Sequence, residues 1–81
     1  MRSRKKYIVQ FEGEKRCLRT RENVLEKLEE LLIETPEWAG ISHHNIDVIE
    51  KIWIIPIRRV NCLEWISANY GFELAIAIMG W

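Results

Sequence analysis

The chain of 81 residues carries 12 Lys+Arg and 12 Asp+Glu, which gives one domain's length and a formal net charge of zero. A composition 48% apolar and 30% charged excludes a disordered chain, and no apolar run approaches the ~20 residues of a membrane-spanning helix. The neutrality is an average: residues 1–21 hold eight basic residues against Glu12 and Glu14, and residues 22–50 hold eight acidic residues against Lys27.

Residues 1–6 read as a basic arm and residues 7–81 as a single α/β domain. Tyr7–Phe11 is β-branched and aromatic, too short and mixed for the apolar core of an export signal. With no export signal, Cys17 and Cys62 are expected as reduced thiols in a cytoplasmic setting. Tyr7–Phe11 predicts a first strand. Glu12–Lys15 predicts a turn, in which Gly13 permits a positive φ, and Arg16–Arg19 a short return strand.

Thr20 suits the cap of a helix running to about Glu34, with Val24, Leu25, Leu28, Leu31 and Leu32 as its apolar stripe. Pro36 breaks that helix, a short turn follows to Gly40, and residues 42–45 read as a loop. The Ile-rich run Val48–Ile57 predicts one strand buried on both faces, preferred over a helix because β-branched residues dominate. Asn61-Cys-Leu-Glu64 predicts a helix start with Val60 stapled to Trp65. This helix buries Leu63, Ile66 and Tyr70 and stops at Gly71. The alternation in Phe72–Met79 predicts a final strand.

The expected architecture is therefore α+β, a two-layer sandwich in the order ββαβαβ, with right-handed strand–helix–strand crossovers. If residues 46–57 hold two strands, a ferredoxin-like βαββαβ arrangement is the alternative.

Four features bear on function. Glu22, Glu26, Glu30 and Glu34 repeat at i, i+4 on one helix face, a spacing that costs ~0.2–0.5 kcal/mol per like-charged pair. They are either a solvated face or a docking face for a basic partner. Trp38, Trp53 and Trp81 are candidate protein-interface residues, since Trp is enriched at binding hot spots, and Trp65 is assigned to packing. Trp53, Ile55 and Ile57 beside Ala75, Ala77 and Met79 would form an apolar sheet face opposite the helices. Arg2, Arg4, Lys5, Lys6, Arg16, Arg19 and Arg21 could neutralise phosphates of a nucleic acid, and Arg58 and Arg59 could meet a small anion at the second helix N-terminus.

His43-His44, Cys17 and Cys62 lack metal-ligand spacing, and no phosphate-loop, dinucleotide or nucleophile-elbow motif is present. The sequence thus predicts a non-enzymatic binding or regulatory protein without metal or cofactor. It would act on itself as a homo-oligomer or on another protein, with no membrane partner. Nucleic-acid binding through the arm and first hairpin is one alternative reading, and capture of a nucleotide-like anion at an oligomer interface is another.

Overall fold

A computed structural model describes residues 5–34 and 42–79. Strand β1 (Lys5–Phe11) and strand β2 (Glu14–Leu18) form the expected first hairpin. Its two-residue loop is Glu12-Gly13, and β1 takes in Lys5 and Lys6 from the expected arm.

Helix α1 (Arg21–Glu29) starts where its cap predicts: the Thr20 hydroxyl accepts the Asn23 N–H at 3.1 Å. The chain stays helical to Glu34, but the last five residues wind into wider π-helical turns. Val24, Leu28 and Leu31 face the core, and α1 packs on β1, with the Lys27 ammonium 5.9 Å from the Phe11 ring centre. A 3₁₀ turn over His43–Asn45 occupies part of the expected loop, capped by the Ser42 hydroxyl, which accepts the His44 N–H.

The single buried strand predicted over Val48–Ile57 is instead a hairpin. Strand β3 (Ile46–Ile52) turns at Trp53-Ile54 into strand β4 (Ile55–Asn61). The apolar run is continuous because it covers the end of one strand, the loop and the start of the next. Pro56 sits in β4, an edge strand, where proline is accommodated.

Helix α2 (Cys62–Tyr70) is capped by Asn61, whose Oδ1 accepts the Leu63 N–H at 3.0 Å. Cys62, Trp65 and Ile66 are buried, and Val60 and Leu63 pack against the same core. Tyr70, expected in the core, lies at its margin with its ring centre 5.9 Å from that of Trp65.

The predicted last strand is helix α3 (Phe72–Met79). Its alternation misleads because Leu74, Ala75 and Ile78 also share one helical face, and these are the residues that turn inward. Gly71 separates the helices at φ 103°, ψ 154°, a region essentially reserved for glycine. Its C=O accepts the Ala75 N–H, so it ends α2 and leads into α3.

The observed order is ββαββαα, neither ββαβαβ nor βαββαβ. It is an α+β domain with one antiparallel sheet in the order β2-β1-β3-β4. No neighbouring strands are parallel. β2 and β3 run in the same sense but with β1 between them, so α1 connects strands that do not pair. One sheet face carries Tyr7, Val9, Phe11, Ile46, Val48 and Glu50, all buried, and the helices pack there. The alternating residues Ile8, Gln10, Asp47 and Ile49 are only partly buried on the other face.

Candidate interaction surface at the second hairpin

The β3–β4 hairpin ends in apolar side chains that the core does not use. Trp53, Ile54, Ile55 and Ile57 are 65%, 84%, 63% and 48% exposed. They are contiguous, and only Pro56 interrupts them. Trp53 has φ 59°, a conformation that hairpin loops normally fill with Gly, Asn or Asp. A bulky residue there stores backbone strain of order 1–3 kcal/mol.

The strand pair behind this loop is firmly anchored. Trp65 is fully buried and its indole N–H donates to Glu50 Oε2 at 3.0 Å. Its ring meets Tyr7 edge-on at 6.0 Å. Glu50 Oε1 lies 3.8 Å from the Lys5 ammonium. A buried carboxylate needs such partners, because desolvation without them is expensive. Just beyond Glu50 the register shifts: Glu50 faces Arg58, Lys51 faces Pro56, and Ile57 is the additional residue. Such a bulge bends the strand and breaks regular pairing near the loop.

Cations surround the base of the loop. Lys5 is opposite Ile52, Lys6 opposite Lys51, and Arg58 opposite Glu50. Residues 51–61 contain no Asp or Glu. On the helix side of the same end, Tyr7 feels Arg21, Glu22 and Tyr70. Burial, then Glu50, raises its phenol pKa above 10.0.

The sequence-predicted residues fall on several surfaces. Glu22, Glu26, Glu30 and Glu34 are exposed on α1 and its π-helical continuation, where Lys27 pairs with Glu30 at 3.2 Å. Trp53 is on the hairpin loop, whereas Trp38, Trp81, Arg2 and Arg4 lie outside the described residues. Strand alternation puts Lys6 and Lys15 on the open sheet face but Arg16 on the helix-side face, where it pairs with Glu14. Arg19 is exposed between β2 and α1, and Arg21 is exposed as the first residue of α1. Arg58 and Arg59 lie on β4 with opposite orientations. Arg59 donates from Nε and Nη2 to Asp47 Oδ2, at 3.2 and 2.9 Å, on the open face.

The α2 N-terminus is occupied by Asn61 as cap, and the Asn61 amide also donates to the His43 carbonyl at 2.9 Å. The expected apolar sheet face is not formed: Ala75 is buried in the helix layer, and the open face carries Lys6, Lys15, Lys51 and Arg59 around Ile8 and Ile49.

Burial pushes the Cys62 thiol up to about 12, and its S–H points to the His43 carbonyl at 3.4 Å. Burial and the adjacent His44 hold His43 below its usual range. Among the described residues, no three His, Cys, Asp or Glu side chains cluster as a metal site, and no helix is long and apolar enough to cross a membrane.

Sequence reasoning missed Ile54 as a surface residue, Lys51 as part of the basic collar and Glu50 as the buried anchor. A signal for the first was present. An Ile-rich run longer than a typical strand, with Pro inside it, fits an edge hairpin better than a central strand. Comparisons with protein-family models, with curated proteins and with solved structures return no match.

Proposed function

We propose that this protein acts by binding rather than by catalysis, and that the end of the β3–β4 hairpin is the contact surface. One observation carries the reading: Trp53, Ile54, Ile55 and Ile57 are exposed together across the loop and the start of β4, and the loop is held in a conformation unfavourable for Trp. The fold gains little from these side chains, and contiguous exposed apolar surface marks interaction sites. Trp is also among the residues enriched at binding hot spots.

The expected partner is a second copy or another macromolecule docked on that end. The nucleic-acid alternative has less support, because Tyr7 and Phe11, the aromatic residues of the first hairpin, are buried and offer no stacking surface.

The test is a photo-activated diazirine side chain at position 54, compared in cells with one at position 12 in the other hairpin. The reading predicts adducts from position 54 well above those from position 12. No adduct from position 54, or the same adducts from both, would overturn it. A covalent dimer from position 54 would identify a second copy.

A further inference from the structure

Resting on the hairpin reading but replacing its macromolecular partner, and against the expectation of no membrane partner, we propose that the β3–β4 end docks on an anionic lipid bilayer. Trp53, Ile54 and Ile55 enter the headgroup region, and Lys5, Lys6, Lys51 and Arg58 lie against the lipid phosphates.

The first argument is shape. The most exposed large apolar residue, Ile54, lies in the loop itself, with Trp53 beside it at the outermost point of the hairpin. A protein partner must offer a pocket to such a protrusion, whereas a bilayer accepts it between headgroups.

The second argument is the order of chemistry along the strands. Trp53 and Ile54 come first, and the Ile52–Ile55 pair lies behind them. Lys51 and Lys6 stand opposite each other one residue further back, and Lys5 flanks Ile52. At about 3.3 Å per strand residue, apolar groups lead and cations follow within a few ångströms. A bilayer surface presents the complementary layers in that order, apolar chains beneath anionic phosphates.

The third argument is charge. The nearest carboxylate on β3, Glu50, is buried and already engaged by Trp65 and Lys5. On the helix side of this end, Arg19 and Arg21 stand against Glu22 and, three residues beyond Tyr70, Glu73. The acidic run of α1 continues through Glu26, Glu29, Glu30 and Glu34 away from this end, so the charge gradient favours an end-on approach.

The residue types fit the assignment as well. Trp is enriched at membrane–water interfaces, and basic residues are attracted to anionic leaflets. The contact is peripheral and needs no spanning helix.

Sedimentation of the full chain with phosphatidylcholine vesicles, with and without phosphatidylserine, tests the proposal. Binding is expected on the anionic vesicles, weakening as salt rises. Lipid brominated in its acyl chains should quench Trp fluorescence, and Trp53→Phe should abolish that quenching. Ile54→Asp should weaken binding about tenfold or more by placing a charge at the insertion point. Combining Lys6→Gln, Lys51→Gln and Arg58→Gln should weaken it about a hundredfold, at roughly fivefold per cation. Circular dichroism of each variant verifies that it is folded.

Equal binding to neutral and anionic vesicles, binding to neither, or binding indifferent to Ile54→Asp would overturn the lipid assignment. So would displacement of bound vesicles by single-stranded RNA with the same affinity in the Ile54→Asp variant, which would give the cations to a nucleic acid. Protein adducts from position 54 without vesicle binding would refute the bilayer and leave the hairpin surface standing.

Discussion

The two hairpins solve the same problem with different chemistry. Each joins antiparallel strands through a two-residue loop. The first uses Glu12-Gly13, with positive φ at both residues and charged neighbours in Glu14 and Lys15. Gly13 is the residue such a loop asks for at its second position, and Glu12 keeps its positive φ with a charged side chain in water. The second uses Trp53-Ile54 and holds Trp53 at φ 59°. The contrast separates what closes a hairpin from what it presents to its surroundings. The second loop retains side chains that strain the backbone and leave apolar surface in water. It tolerates them because its strands are anchored on the core side by Val48, Trp65 and Glu50.

The strongest way to break the comparison is to remove that anchor. Trp65→Ala should cost about 3–5 kcal/mol in urea denaturation, while Trp53→Ala, at the exposed end of the same strand pair, should change stability by less than about 1 kcal/mol. A similar loss in both would mean that the loop belongs to the core.

Alkaline pH comes next in size, and the two thiols report on it. Cys17, on the first hairpin, is exposed, whereas Cys62, just after the second, is buried. The folded Cys62 thiol is held up to about 12 against an ordinary value of 9.0. The unfolded chain therefore loses this proton first. Stability should be full below pH 9 and should fall as pH rises from 9 towards 12. The raised Tyr7 phenol adds to the fall above pH 10.0. Cys62→Ala should flatten the profile, and a maleimide should label only the exposed Cys17 in the native protein.

A smaller effect tests the first loop. Gly13 has φ 80° with open space around it, so Gly13→Ala should cost about 1–2 kcal/mol from backbone strain alone. The smallest effect is at Ile54, 84% exposed. Ile54→Asp should move the urea midpoint by no more than about 0.5 kcal/mol equivalent, which makes it the cleanest variant for binding experiments.

The sequence was legible where local chemistry and tertiary structure agree. Thr20 and Asn61 start helices because their side chains accept the first free N–H groups, and Gly13 marks its turn by conformational freedom. The apolar stripe Val24, Leu28, Leu31 has helical spacing whatever packs on it. Legibility failed where one pattern serves two structures. Leu74, Ala75 and Ile78 lie on a helical face within a run that also alternates, and the choice between them depends on whether the sheet or the helix layer receives it.

The second hairpin was missed for a different reason. Its loop has no Gly, Asn or Asp, so only the length of the Ile-rich run and Pro56 within it hint at a division. The candidate site was thus only partly readable: Trp53, Lys5, Lys6 and Arg58 were identifiable as unusual, but Lys51 and Ile54 joined them only once β3 and β4 were paired.

The central claim is that the second loop keeps Trp53 and Ile54 for contact rather than for folding. The most direct test replaces them with Trp53→Gly and Ile54→Asn, the turn chemistry that a positive φ at the first loop position favours. Urea denaturation and vesicle sedimentation of this one variant give both readings. The account predicts a fold at least as stable as the parent, by up to about 1 kcal/mol, together with loss of binding to anionic vesicles. A destabilised fold, or vesicle binding equal to the parent's, would contradict it.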